Sequence, residues 1–164
     1  MQLWFSHIET PFGSAAATVD DDGGLVEFTF LNGVMNNLYS HEGKAERAPE
    51  RLKEVARQVD DFFTRKRTRF DLALNPIGTD FQKRVWQALC AIPSGETISY
   101  QTLATRLGDT KATRAVGLAN GRNPVALIIP CHRVIGKNGA LTGYGGGLDL
   151  KRKLLAFEAP SLFA

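Results

Sequence analysis

The sequence predicts an α/β N-terminal lobe, a three-stranded antiparallel sheet plus one helix over residues 1–76, followed by a mostly α-helical domain over residues 77–164. Three observations carry this reading. β-like runs joined by short turns fill the first 31 residues, an amphipathic helical pattern follows, and Asn75-Pro76 with Gly78 interrupts the chain before a series of capped helical segments. A chain of 164 residues is long enough for one good core or two small ones.

The strand-like runs cover residues 3–8, 14–19 and 25–31. Between them lie Thr10-Pro11-Phe12-Gly13 and Asp20-Asp21-Asp22-Gly23-Gly24, turn-forming stretches too short for anything but an antiparallel meander. From residue 49 to 63, Leu52, Val55, Ala56, Val59, Phe62 and Phe63 recur at helical spacing, which lays one helix face on the sheet. The basic run Arg65-Lys66-Arg67 with Arg69 reads as a solvated surface loop, and residues 72–76 read as a linker.

Beyond the linker, Thr79 to Gln82 forms a capping box. Phe81, Val85, Trp86, Leu89 and Cys90 then line one helix face until Pro93-Ser94-Gly95 ends it, and Cys90 reads as an inert core thiol. Ser99 caps a second helix with Leu103, Ala104 and Leu107, stopped at Gly108, and residues 112–120 make a third. Two short helices across a Gly turn resemble a helix-turn-helix. The third bears Thr113, Ala115, Gly117 and Ala119, with Arg114 as its one long cation. So small a face suits packing on a neighbouring helix or close approach to another surface. Residues 125–129 read as a strand, and Lys137-Asn138-Gly139-Ala140 is a hairpin signal, so the domain reads as a winged helix.

The chemistry concentrates at Pro130-Cys131-His132-Arg133-Val134. A thiol is mostly unreactive at neutral pH unless a base or a positive charge stabilises the thiolate, and His132 and Arg133 adjoin this one. In a straight strand adjacent side chains point oppositely, so Cys131 and His132 cooperate only through a bend or a bridging water. In the last helix Leu150, Leu154 and Glu158 fall at i, i+4 and i+8, which carries a carboxylate on the inward stripe. His132 is its obvious partner, giving a relay that fixes the imidazole tautomer and favours imidazolium beside thiolate. The stretch Gly143-Tyr144-Gly145-Gly146-Gly147 lacks the pattern of a P-loop or dinucleotide fingerprint and suits wrapping a flat ligand.

Composition narrows the classes. Hydrophobic content of 43% with 23% charged residues is ordinary for a globular protein, and no apolar stretch approaches the roughly 20 residues of a membrane span. The N-terminus lacks signal-peptide character, and two unrelated cysteines give neither a disulfide framework nor zinc spacing, so a cytoplasmic protein without metal is expected. The net charge of +3 is compatible with a polyanionic partner and decides nothing alone.

Taken together, Thr79-Asp80-Phe81-Gln82 with Val85-Trp86, Gly95 with Ser99-Tyr100, Arg114-Ala115-Val116-Gly117, Asn123-Pro124, the Cys131 motif and the segment from Gly143-Tyr144 to Glu158 resemble the O6-alkylguanine-DNA alkyltransferases, also called methylated-DNA–protein-cysteine methyltransferases. The resemblance spans nearly all of residues 77–164, whereas the first lobe matches only in general pattern. It implies direct-reversal repair: single-turnover, irreversible transfer of the alkyl group from O6-alkylguanine, and from O4-alkylthymine, to Cys131 after nucleotide flipping. His132 would be the base through water, Glu158 would orient it, and Asn123 would brace the turn before the active-site segment.

By the same resemblance, Arg114 would fill the space of the extruded nucleotide, and Tyr100 would press on the target phosphate and contact the base. Thr113, Ala115 and Gly117 would let the helix approach the minor groove, and Arg122 would add a phosphate contact or face solvent. Tyr144 would wall the pocket, backbone at Cys131, Val134 and Gly145 would read the guanine edge, and Ala126 would line its alkyl side. The implied partner is double-stranded DNA carrying an alkylated base, bound by a monomer, with cooperativity along DNA left open, and without cofactor, metal or membrane. Zinc-bearing members of the family use Cys and His ligands in the first lobe that this chain lacks. Two other classes compete: a cysteine hydrolase, which has no use for Arg114 on a small-faced helix, and a DNA-binding lesion sensor, which leaves the thiol idle.

Overall fold

The computed structural model describes residues 1–31, 43–144 and 147–160. Two compact units emerge: Met1–Ile77 together with Pro124–Ala126, and Gly78–Asn123 together with Leu127–Ala164.

In the first unit, β1 (Leu3–Thr10), β2 (Gly13–Asp20) and β3 (Leu25–Phe30) form the expected antiparallel meander. A tight turn at Pro11-Phe12 sets the register Leu3 opposite Asp20 through Thr10 opposite Gly13. The sheet has four strands, not three: β4 (Glu46–Arg47) pairs in parallel with β1, giving the order β3-β2-β1-β4. Two exposed polar residues carry no alternating pattern, so this strand leaves no periodic trace in the sequence. Ala15, Ala16 and Ala17 of β2 are wholly buried, as an inner strand with both faces covered requires. A 3-10 turn at Pro49–Leu52 leads into α1 (Lys53–Phe63), which buries Val55, Val59 and Phe62.

Two segments read as loop are tied down. Arg67 is no solvated cation: its guanidinium donates to Gln58 Oε1 at 2.9 Å, and buried Gln58 also exchanges hydrogen bonds with the backbone of Asp71. The supposed linker continues the sheet edge, since Leu25 N donates to Ala73 O and Asn75 N donates to Leu25 O, both at 2.8 Å. Residues 124–126 close on the opposite backbone positions of β3, with Phe28 N donating to Pro124 O and Ala126 N to Phe28 O. They are the part of this unit that lies far along the chain.

In the second unit, α2 (Asp80–Leu89) opens with the capping box, Gln82 N donating to Thr79 Oγ1 at 3.1 Å and Thr79 N to Gln82 Oε1 at 3.0 Å. Ser99 caps α3 (Tyr100–Arg106), and after a 3-10 turn at Thr110–Ala112 comes α4 (Thr113–Gly121). Trp86 donates its Nε1 to Ala119 O at 2.8 Å, fixing α2 to α4. Cys90, expected in the core, lies exposed at the end of α2, where the helix has turned its next position outward.

Past α4 the sequence expectation fails locally. Residues 125–129 form no strand; Val125 makes one bridge to Phe28, and Leu127 adopts φ 71° in a turn. β6 (Val134–Ile135) pairs in parallel with β5 (Ile98–Ser99), so it does not form the hairpin expected with residues 141–142. The Asn-Gly signal does produce a turn, with Asn138 and Gly139 at positive φ and Gly136 N donating to Ala140 O at 2.7 Å, but no strand pairing flanks it. α5 (Leu148–Glu158) follows and carries Glu158 at its end. Among the described residues, no helix is long and apolar enough to cross a membrane.

Candidate active site

Cys131, His132 and Arg133 occupy a single 3-10 turn entered through Pro130, so the bend that lets adjacent side chains serve one site is built into the backbone. Cys131 and His132 are buried, His132 completely. Asn123 donates through Nδ2 to Ile129 O at 2.8 Å and hydrogen-bonds the Cys131 thiol, so it spans the turn leading to the cysteine. Burial pushes the Cys131 thiol up from its ordinary value, against the smaller opposing effects of Asn123 and of the Lys151 charge.

Glu158, with its side chain 1% exposed, joins the site from α5 as its inward stripe requires. His132 Nε2 lies 3.0 Å from Glu158 Oε1. Arg133 also grips that carboxylate, Nε to Oε1 at 3.0 Å and a terminal nitrogen to Oε2 at 2.6 Å, while its other terminal nitrogen donates to Ile92 O at 2.7 Å. Burial alone would raise the Glu158 carboxyl, yet His132 and Arg133 outweigh it and hold the group at about 2. Glu158 is therefore ionised and accepts only, so the hydrogen sits on His132 Nε2.

Burial, opposed by Glu158, holds His132 below its ordinary value. The imidazole is neutral, because Arg133 already neutralises the carboxylate and burial penalises a second cation. The resting site is a thiol beside a neutral imidazole, which differs from the expected imidazolium beside thiolate. His132 Nδ1 is buried without a hydrogen-bond partner among the described residues, so its lone pair is available as a base.

Two participants escaped the sequence reading, Lys151 and Asn120, and Arg133, read as a charge beside the thiol, has another role. Arg133 serves Glu158 and does not head the charges around the thiol. Lys151, fully buried, donates from Nζ to Val134 O and to Thr142 O, both at 2.7 Å, and burial lowers it to about 8. It stands at i, i+4 and i+7 with Leu155 and Glu158, a helical spacing that marks it as inward-facing. Asn120, buried on α4, reaches the Cys131 carbonyl with Nδ2 at 3.4 Å, and its Oδ1 has no partner among the described residues.

The remaining expected residues are distributed as follows. Tyr100 donates its hydroxyl to Thr142 O at 3.1 Å, sharing that carbonyl with Lys151. The Tyr144 hydroxyl is buried without a hydrogen-bond partner among the described residues, and burial above all raises it well above its ordinary value. Arg114, Ala115 and Arg122 are exposed on or beside α4, and Thr113 at its start donates to Thr110 O. A Cβ on Gly117 would meet the Tyr100 ring at 3.7 Å, so this small residue faces the second unit's own Tyr100. Val134 is buried, its carbonyl engaged by Lys151. Ala126 belongs to the first unit, and Gly145 lies outside the described residues. No group of three or more His, Cys, Asp or Glu suited to a metal ion occurs among the described residues.

Residues 80–160 match the family model of the 6-O-methylguanine DNA methyltransferase DNA-binding domain. A methylated-DNA–protein-cysteine methyltransferase from Methanosarcina barkeri is 46% identical over 160 residues, 98% of this chain and 99% of the relative. One from Mycolicibacterium paratuberculosis is 46% identical over 149 residues, covering 86% and 90% of the two chains. The crystal structure of Mycobacterium tuberculosis O6-methylguanine methyltransferase superposes with a TM-score of 0.88 at 40% identity, over 97% of this chain and 94% of that one. The structure of Mycobacterium tuberculosis OGT in complex with DNA gives 0.85 at 40% identity, over 98% and 96%. On identity that runs the length of both lobes and encloses the Cys131 turn, the chain belongs to the methylated-DNA–protein-cysteine methyltransferase family.

Proposed function

We propose that this chain repairs alkylated DNA by moving the alkyl group from O6 of guanine, and from O4 of thymine, onto Cys131. The observation that carries the proposal is the buried set of Cys131, held by Asn123, and His132, whose Nε2 is committed to Glu158 while Nδ1 stays unpartnered. His132 Nδ1 takes the thiol proton through a water. Cys131 Sγ bonds to the alkyl carbon as the bond from that carbon to O6 breaks, and the electron pair stays on guanine, where the Tyr100 hydroxyl, released from Thr142, helps neutralise it. The product is a thioether, which thiol exchange does not cleave, so each molecule turns over once.

An alkylated oxygen inside a stacked duplex is out of reach of a buried thiol, and the reaction requires a flipped nucleotide. Flipping costs a few kcal/mol, less for a weakly paired lesion. Arg114 on exposed α4 fills the vacated space from the minor groove, Thr113 and Ala115 allow close approach, and Arg122 meets a phosphate. Tyr144 walls the base pocket, and backbone at Cys131 and Val134 reads the guanine edge. The protein acts as a monomer. Binding depends mainly on phosphates, so it weakens with salt and varies little with flanking bases.

The test is stoichiometry. With duplex O6-methylguanine in excess, restored guanine should plateau at one per protein molecule, and further lesion should yield nothing more. Continued product formation would point to a turning-over hydrolase instead.

A further inference from the structure

We propose that Leu118 is an apolar wedge for the minor groove of duplex DNA, supplying affinity that salt does not screen. The inference rests on the reading that α4 faces DNA. The helix buries Val116, Ala119 and Asn120, while Leu118 is 60% exposed on its outer side. A single exposed leucine is ordinary on a protein surface. This one is set apart by its company: Arg114 one turn before it and Arg122 one turn after it are also exposed, and neither forms an ion pair with another described residue. Positions i, i+4 and i+8 share one face, and eight residues advance about 12 Å along a helix.

The surface therefore presents cation, apolar tip, cation in a row. Its complement is an apolar floor bordered by negative charge, with Arg114 entering the stack at one end and Arg122 meeting the bordering phosphates at the other. A duplex minor groove, about 6 Å wide between two phosphate backbones, has that layout, and apolar side chains pressed between base steps are a recurring way of opening one. The neighbouring outward positions Ala115 and Gly121 are small, so Leu118 projects furthest from this face among its apolar residues.

The experiment is a fluorescence-anisotropy titration of a lesion-bearing duplex, repeated at several salt concentrations, with wild type, Leu118→Ala, Leu118→Met and Arg122→Ala. Leu118→Ala should bind about tenfold more weakly at every salt concentration with an unchanged salt slope. Leu118→Met should restore binding to within about twofold, and Arg122→Ala should lower the slope by about one. Thermal melting of each variant should match wild type, since the side chain is exposed. Wild-type affinity in Leu118→Ala, or a loss accompanied by a reduced slope, would overturn the wedge. Failure of wild type to bind any duplex would instead remove the DNA reading on which it stands.

Discussion

Replacing Glu158 with glutamine should loosen the second unit and erase its acid sensitivity. The carboxylate is 1% exposed and receives three hydrogen bonds, one from His132 and two from Arg133. Glutamine keeps the shape, removes the charge and leaves Arg133 buried without its counter-ion, a change that typically costs 3–5 kcal/mol, so a loss of about 3 kcal/mol at pH 7 is expected. The pH profile gives a second handle. Glu158 is held at about 2 against an ordinary 4.5, so the folded state releases this proton more readily than the unfolded chain. The contribution is complete above about pH 4.5 and disappears as the pH falls toward 2. Urea unfolding followed by Trp86 fluorescence in a Trp4→Phe background, from pH 7 down to pH 2.5, measures both quantities. A Glu158→Gln protein within about 0.5 kcal/mol of its parent at pH 7, with the same acid-induced loss, would refute the reasoning.

Three further perturbations address the frame around the site. Gly78→Ala should destabilise the second unit by about 1–3 kcal/mol, because its Cβ would stand 2.4 Å from Trp86 Cη2; unchanged urea unfolding would contradict that packing. Thr79→Ala should cost about 1 kcal/mol in the same assay by removing the acceptor for Gln82 N. Lys151→Met should leave the Val134 and Thr142 carbonyls without their shared donor, costing about 2 kcal/mol or more in unfolding and slowing alkyl transfer from duplex DNA; wild-type stability and rate would show that the clamp is dispensable.

Much of this architecture is legible in the sequence where one periodic signal dominates. β1 to β3 and α1 follow their apolar spacing, and the Thr79 and Ser99 caps mark the starts of α2 and α3 to the residue. Glu158 was readable as inward-facing because Leu150 and Leu154 precede it on one stripe. What stayed hidden depends on non-local partners. β4 is two polar residues whose only warrant is the edge of β1. The apolar run 125–129 lacks the turn chemistry that would betray it, since Leu127 at φ 71° is held by burial and not by residue type. The partners of Lys151 and Arg133 are not readable from the sequence, because folding brings the carbonyls and the carboxylate to them from distant positions.

The central claim is that Cys131 accepts the alkyl group, and peptide mass spectrometry tests it most directly. Wild type and Cys131→Ala are mixed with a duplex carrying O6-methylguanine, and the peptides containing residues 90 and 131 are compared. One added methyl group on Cys131, equimolar with restored guanine and absent from both the variant and Cys90, is the predicted result. Restored guanine with an unmodified Cys131, or methyl groups on Cys90 in the variant, would contradict the account.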